Sequence, residues 1–166
     1  MINDFNKIQQ ALAKAKNILL LGHPGPDGDC LGALSAFLAY LTFLNKKAVA
    51  VVDEEIGEEF DFLPQLDKFS ADLESLKEKD FDIIIVLDSA NLARGGLVEK
   101  FKETDRPVII NIDHHHLSNA NEGDINLVKN VSATCELVYD FFRHVNFNFD
   151  SLLNNKVSMI IIRTYR

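Results

Sequence analysis

Two stretches of this sequence are rich in consecutive apolar, β-branched residues, and each ends on an aspartate: residues 81–88, FDIIIVLD, and residues 107–113, PVIINID. Shorter apolar runs occupy residues 17–22 and 48–52. A continuous apolar run, as opposed to an alternating one, is typical of a strand that is covered on both faces. The sequence therefore predicts strands of a sheet that is buried on both sides.

Helical stretches separate the predicted strands. Residues 4–15 carry apolar side chains at helical spacing, and residues 30–44 are almost wholly apolar or small. Strands that alternate with helices are typical of βαβ units. We therefore expect an α/β fold, with a mostly parallel sheet, helices on both of its faces and Rossmann-like layering.

The composition restricts the class of protein. The chain has 166 residues, 47% of them hydrophobic, which suits one globular domain. It has no apolar run of the roughly 18 residues that span a membrane and no signal-peptide pattern, so a cytoplasmic protein without membrane partners is expected. The net charge of −8 argues against a basic surface for long nucleic acid. The only two cysteines, Cys30 and Cys135, are expected to be small buried residues.

Acidic and imidazole side chains follow three of the predicted strands. In open parallel sheets, ligands bind beyond the carboxyl ends of the strands, so we expect these side chains to meet at one edge. The set comprises His23, Asp27, Asp29, Asp88, Asp113, His114 and His115.

This set has the chemistry of a metal site. Carboxylates that converge repel one another, and divalent cations remove that repulsion. Mixed imidazole and carboxylate ligands suit Mn²⁺, Co²⁺ or Zn²⁺, while a carboxylate-rich set leans towards Mn²⁺ or Mg²⁺. Five or six ligands indicate two cations, roughly 3.5–4 Å apart, that share one carboxylate. We predict that Asp88, which ends the central strand, is the shared ligand, although an aspartate there could instead cap the following helix.

Three segments resemble the first three motifs of the DHH phosphoesterase family: residues 23–29, HPGPDGD; residues 87–89, LDS; and residues 113–115, DHH. That family includes RecJ-type exonucleases, bacterial nanoRNase/pAp phosphatases, cyclic-dinucleotide phosphodiesterases and manganese-dependent inorganic pyrophosphatases. The similarity covers nearly the whole chain, residues 1–166, as the N-terminal catalytic domain of a family member.

The resemblance implies two Mn²⁺ ions, with Mg²⁺ or Co²⁺ as alternatives. One would be held by His23, Asp27 and Asp88. The other would be held by Asp29, Asp88 and His114.

The resemblance also implies roles next to the cations. His115 would face the substrate phosphate, and Asp113 would orient the histidines, as ligating imidazoles usually require. Arg94 matches an arginine that is a candidate for the phosphate site. The stretches 118–126 and 132–137 resemble the nanoRNase/pAp phosphatase branch.

Two features depart from the family pattern. Arg163 stands where family members present a further aspartate that ligates the second cation, and a guanidinium opposes a cation, so the second site is predicted to be weakened. The chain also ends before the second, smaller domain of the family. The resemblance therefore predicts a catalytic domain that is truncated near its C-terminal end.

The expected function is a metal-dependent phosphoesterase that acts on short oligonucleotides or on 3′-phosphonucleotides such as pAp. Two alternatives stay open: a non-catalytic or degenerate metal-binding domain, and a manganese-dependent inorganic pyrophosphatase. The opening helix and the segment after His116 favour the nucleotide phosphoesterase over the pyrophosphatase. An unrelated nucleotide-binding module lacks support, because no G-x-G-x-x-G or Walker segment follows a predicted strand. A homodimer is left open.

Overall fold

A computed structural model describes residues 1–72, 81–89, 106–115 and 123–148. These residues form three α-helices, two short 3₁₀ helices and one sheet of six strands. The helices are α1 (Ile2–Lys14), α2 (Gly28–Phe43) and α3 (Thr134–His144). The strands are β1 (Asn17–Leu21), β2 (Lys47–Val51), β3 (Phe69–Ser70), β4 (Ile83–Leu87), β5 (Val108–Asp113) and β6 (Ile125–Val128).

The sheet is parallel throughout, in the order β3-β2-β1-β4-β5-β6. From β1 the next two strands, β2 and β3, lie on one side, and from β4 the next two, β5 and β6, lie on the other side. The strand order therefore reverses between the central strands β1 and β4. Such a reversal opens a crevice at the carboxyl ends of the strands, where ligands bind in open α/β sheets. The predicted α/β fold with a parallel sheet is confirmed.

The core has two parts, one on each face of the sheet. On the first face, Ile18 and Leu20 of β1 pack with all three described helices. Leu19 and Leu21 of the same strand point to the opposite face and pack with Ile84 and other strand residues. No described helix contributes to this second cluster, so helices on both faces remain a prediction for the rest of the chain.

Helix α2 lies in the centre of the first face. Its residues from Cys30 to Leu41 are all buried, which explains why the sequence there is apolar on every side. The helix begins two residues before the predicted start because Asp27 caps it: Oδ1 of Asp27 accepts from the backbone N–H groups of Asp29 and Cys30, at 2.9 and 3.1 Å.

Helix α3 and strands β3 and β6 were not predicted from the sequence. Strand β3 has only two residues and β6 only four, too few for a reliable apolar pattern. Helix α3 did carry a signal, because Cys135, Val138, Phe141 and Phe142 recur at helical spacing and are all buried. Every helix of the described residues is too short or too polar to cross a lipid bilayer.

Candidate metal centre

Asp88 lies at the centre of the site, directly after β4. Its side chain is 2% exposed, and its backbone N–H donates to the carbonyl of Ile112 on the neighbouring strand at 3.0 Å. The residue has φ +58°, in the left-handed region that aspartate and asparagine tolerate better than most side chains. Backbone strain of this kind is concentrated at functional sites.

The carboxylate of Asp88 faces three imidazoles. Nε2 of His23, from the loop after β1, lies 3.7 Å from Oδ2. Nε2 of His114 lies 3.4 Å from Oδ1, and Nδ1 of His115 lies 3.7 Å from the same oxygen. The structure therefore brings together the ends of β1, β4 and β5 around one buried carboxylate.

Two of these imidazoles are held in the orientation that metal ligation requires. Nδ1 of His23 lies 2.8 Å from the carbonyl oxygen of Pro24, and Nδ1 of His114 lies 3.3 Å from that of Val131. A carbonyl oxygen only accepts, so each Nδ1 carries a proton, and in the neutral imidazole Nε2 then presents a lone pair. Carbonyl partners of this kind fix the tautomer of metal-ligating histidines.

In the neutral rings, Nε2 of His23 and Nε2 of His114 are hydrogen-bond acceptors, and both face carboxylate oxygens, which are also acceptors. At 3.4–4.0 Å these contacts are longer than most N–H···O hydrogen bonds. Ligand atoms that each lie about 2.1 Å from one cation stand roughly 3–4 Å apart, which matches these separations. The donor set present here therefore fits a divalent cation.

The electrostatics of Asp88 also favour a cation. Burial raises the pKa of this carboxyl group to about 6, and the negative charge of Asp29 adds to the shift, while the hydrogen bond from Thr134 opposes it. Ionised Asp88 is therefore destabilised by its surroundings. A positive charge between Asp88 and the imidazoles would remove that penalty.

The two other predicted carboxylate ligands have different surroundings. Asp29 lies against the N-terminus of α3: its two oxygens accept from the backbone N–H groups of Thr134 and Cys135, at 2.7 and 2.8 Å. Nε2 of His114 lies 3.7 Å from Oδ2 of Asp29. Asp27, the cap of α2, is 67% exposed, and its Oδ1 lies 4.0 Å from Nε2 of His23. Each acid therefore has a structural contact in addition to its place in the site.

His115 and Asp113 form a pair at the rim of the site. Oδ1 of the buried Asp113 accepts from Nδ1 of His115 at 2.7 Å and from its backbone N–H at 3.1 Å. Oδ2 of Asp113 is buried without a hydrogen-bond partner among the described residues. Partial burial lowers the pKa of His115, but the hydrogen bond and charge of Asp113 and the charge of Asp88 together outweigh it, so the pKa is raised. The His115 side chain is 44% exposed, within reach of a ligand at this edge.

Comparison with known proteins agrees with this geometry. Residues 17–162 match the model for the N-terminal domain of the DHH family. The chain belongs to the DHH family. The motif-based prediction of the family is therefore confirmed. None of the curated proteins with which the sequence was compared matches it.

Two solved structures share the fold of this DHH domain. An exopolyphosphatase-related protein from Bacteroides fragilis has a TM-score of 0.82 at 18% identity, over 98% of this chain and 48% of that chain. CDC45 from Entamoeba histolytica has a TM-score of 0.60 at 12% identity, over 99% of this chain and 34% of that chain. The chain thus spans about half the length of the first protein and about a third of the length of the second. At these identities the similarity concerns the fold.

Two predictions concern residues outside those that the structure describes: Arg94, the candidate for the phosphate site, and Arg163, which stands in place of a family aspartate. Asp124, in a stretch that resembles the nanoRNase/pAp phosphatase branch, lies at the amino ends of the strands, away from the metal centre. There it binds Arg106 through two hydrogen bonds of 2.7 and 2.8 Å.

Thr134 is a site residue that the sequence analysis missed. Its buried hydroxyl donates to Oδ1 of Asp88 at 2.8 Å, across 46 positions of sequence. The only available signal was the resemblance of residues 132–137 to a family segment, which assigns no role to a single residue. We expect Thr134 to be a positioning residue, since its hydroxyl bonds to Asp88 and its backbone N–H bonds to Asp29.

We expect Thr134→Val to weaken binding of divalent cations roughly tenfold or more, because loss of a partner of a ligating carboxylate typically has that effect. Isothermal titration calorimetry with Mn²⁺ measures this change. Thr134→Ser keeps the donor and should restore most of the affinity. Thr42→Val is the matched control, since the hydroxyl of Thr42 donates to the carbonyl of Leu38, away from the site. Equal loss of affinity in both valine variants would contradict the positioning role.

Proposed function

We propose that this DHH domain is the metal-binding part of a phosphoesterase of the nanoRNase/pAp phosphatase type, which hydrolyses short oligonucleotides or 3′-phosphonucleotides with Mn²⁺. The observation that carries the proposal is the arrangement around Asp88. Two imidazoles, oriented through backbone carbonyls, present their lone pairs to one buried carboxylate. A third imidazole, held by Asp113, lies beside them.

The ligands divide between two positions. We assign His23, Asp27 and Asp88 to one position and Asp29, Asp88 and His114 to the other, with Asp88 common to both. Divalent cations bound here would activate water at neutral pH and stabilise negative charge on phosphate oxygens.

His115 is the residue of the chain that we assign to the reacting phosphate. Asp113 fixes the ring through Nδ1 and, by its charge, favours the protonated imidazole. A preorganised, positively charged donor stabilises the charge that develops on phosphate oxygens in the transition state. Asp113 therefore acts by orienting His115, and the buried position of Asp113 keeps this pair rigid.

A cavity at the same edge of the sheet supports a substrate with a nucleoside. It has a volume of about 380 Å³ and lies at the carboxyl ends of β2 and β3. The backbone N–H of Gly25, in the loop after β1, donates to Oδ1 of Asp53 at 3.1 Å, which ties the loop beside the cavity to the loop of the metal centre. The lining combines the apolar side chains of Ile56, Leu66 and Phe69 with the acids Glu54, Glu55 and Asp61. Such a surface suits an uncharged heterocycle and repels a chain of phosphates.

The acidic lining of this cavity supports the proposal over the main enzymatic alternative. One protein of the same fold is described as exopolyphosphatase-related, and an inorganic pyrophosphatase would use similar cations. Both substrates carry only phosphate groups, for which an acidic cavity beside the metal centre offers no favourable contact.

The proposal is tested by incubating the 166-residue chain with Mn²⁺ and one substrate at a time. The substrates are pAp, a dinucleotide, pyrophosphate and inorganic polyphosphate, and released phosphate or nucleoside monophosphate is measured. We expect pAp or the dinucleotide to be hydrolysed at least about tenfold faster than the inorganic substrates. Faster hydrolysis of pyrophosphate or polyphosphate would support the alternative. Binding of Mn²⁺ without hydrolysis of any substrate would indicate a non-catalytic metal-binding domain.

His115→Asn gives a second, sharper test. We expect kcat to fall roughly 100-fold or more, because a donor to the transition-state charge is lost, while the affinity for Mn²⁺ changes little. His144→Asn is the control, since His144 contacts Asn6 at 2.9 Å on the helical side of the sheet. If both variants kept the activity of the unsubstituted chain, His115 would have no catalytic role.

A further inference from the structure

Cys30 lies in the metal centre, although its sequence position gives no sign of this. One donor atom each from His23, Cys30 and Asp88 lies within 4.8 Å of the other two. Cys30 is in the first turn of α2 and is 0% exposed. Burial raises the pKa of its thiol, so the proton leaves only when a cation takes its place.

The fold leaves room for the sulfur at this position. A Cβ atom added to Gly22, the residue that follows β1, would lie 2.5 Å from Sγ of Cys30. Any side chain larger than hydrogen at position 22 would therefore displace the sulfur. The glycine before the metal-binding loop thus permits the close approach of α2 to the end of β1.

The three donors differ in chemical character from the rest of the site. Carboxylate and water ligands suit Mn²⁺ and Mg²⁺, whereas a thiolate selects softer cations such as Zn²⁺ and Co²⁺. One imidazole nitrogen, one thiolate sulfur and one carboxylate oxygen are all donor types that zinc uses, and three protein ligands leave a fourth position for water or substrate. The centre therefore contains the donors for two kinds of cation.

We propose that Cys30 is a metal ligand that joins His23 and Asp88 around a thiophilic divalent cation, Zn²⁺ or Co²⁺. This is the metal position that we assign to His23, Asp27 and Asp88. The proposal rests on the metal centre of the proposed function and adds a ligand to it. On binding, the S–H bond breaks, an Sγ–metal bond forms and the proton leaves to solvent, with no change of oxidation state. The chain then binds Zn²⁺ and Co²⁺ more tightly than an all-oxygen and imidazole site would, while Mn²⁺ relies on the oxygen and nitrogen ligands.

Cys135 provides a matched control within the same chain. It is the only other cysteine and is also buried in the first turn of a helix, α3. Its Sγ donates to the backbone carbonyl of Asp29 at 3.4 Å. Among the described residues, no group of potential metal ligands includes it. A sulfur signal that depends on Cys30 and not on Cys135 therefore identifies the ligand.

The experiment is a titration of the full chain with Co²⁺, followed by absorption spectroscopy. The visible d–d bands report binding of cobalt, and near-ultraviolet charge-transfer absorption reports a thiolate–cobalt bond. We expect both signals in the unsubstituted chain and in Cys135→Ala, and only the visible bands in Cys30→Ala. We also expect Cys30→Ala to lower the affinity for Co²⁺ and Zn²⁺ roughly tenfold or more, with the affinity for Mn²⁺ changed far less.

The outcomes separate this inference from the proposed function. Visible bands without charge transfer in the unsubstituted chain, or charge transfer that persists in Cys30→Ala, would overturn the role of Cys30 and leave the metal centre intact. Absence of any cobalt spectrum in the unsubstituted chain would overturn the metal centre itself. Cys30→Ser, compared by circular dichroism, controls for a packing defect in Cys30→Ala.

Discussion

An Asp88→Asn variant is expected to unfold at the same temperature with and without Mn²⁺, whereas the unsubstituted chain gains stability from the cation. The reason is that Asp88 faces both His23 and His114 and is the only carboxylate common to the two proposed positions. A ligand at 100 times its dissociation constant stabilises the folded state by about 2.7 kcal/mol, which is the difference that should disappear. Thermal unfolding across a series of Mn²⁺ concentrations measures it.

The same substitution should raise stability in the absence of the cation. The pKa of Asp88 is raised from 3.8 to about 6 in the folded chain, so the folded state binds the proton more tightly than the unfolded state does. Stability therefore falls as the pH rises from about 4 to about 6 and stays lower above that range, by roughly 3 kcal/mol. Asparagine removes this penalty and tolerates the left-handed backbone. The advantage of the variant should vanish below about pH 4.

Asp82→Asn is a control whose expected effect on folding stability has the opposite sign. The exposed carboxylate of Asp82 accepts from the backbone N–H groups of Asn17 and Lys16, and these hydrogen bonds lower its pKa. Its ionised form is stabilising above the pKa of the unfolded state, so the neutral variant should lose stability at pH 7 and keep the full response to Mn²⁺. A persistent response to Mn²⁺ in Asp88→Asn would show that Asp88 is not the shared ligand.

Phe141→Ala is expected to destabilise the domain by about 3–5 kcal/mol, because a large aromatic side chain is removed from a packed core. Phe141 is fully buried on α3, stacks on Phe37 of α2 with ring centroids 5.7 Å apart, and contacts the rings of Phe5 and Tyr40 at 5.9 and 5.8 Å. Denaturant-induced unfolding followed by circular dichroism gives the change in free energy.

Phe43→Ala is the matched control for this prediction. Phe43 ends α2, is 54% exposed and contacts the ring of Phe147 at 5.2 Å. Its replacement should change the free energy of unfolding by much less than that of Phe141, about 1 kcal/mol or below. Similar losses in the two variants would mean that α3 is not anchored through its aromatic face.

The fold was predictable where the chain carries long, continuous apolar runs. Strands β1, β4 and β5 lie within one or two residues of their predicted bounds because burial on both faces makes every residue apolar. Strand β6, at the edge of the sheet, has Asn126 among its four residues, and the amide of Asn126 bonds to the backbone of Gly123. A short strand with a polar side chain engaged in a local turn leaves no apolar pattern to recognise.

The candidate site was predictable in its composition and only partly in its contacts. The acids and imidazoles could be placed at one edge because parallel strands bring their carboxyl ends together. The contacts of α3 could not be inferred, because Asp29 and Thr134 are 105 positions apart and their bond uses a backbone N–H, which every residue but proline possesses. Cys30 has the sequence context of a small buried residue. Only the three-dimensional structure shows that its sulfur lies close to donor atoms of His23 and Asp88.

The bond between Asp29 and the first turn of α3 joins an early and a late segment of the chain at the metal centre. Asp29 is a proposed ligand, and the backbone groups that orient it belong to a helix that follows all six strands. Cation occupancy and attachment of α3 to the sheet must therefore favour each other by the same factor. A chain in which α3 has not yet packed has an incomplete set of oriented ligands. The proposed metal centre is therefore complete only after this last described helix has packed against the sheet.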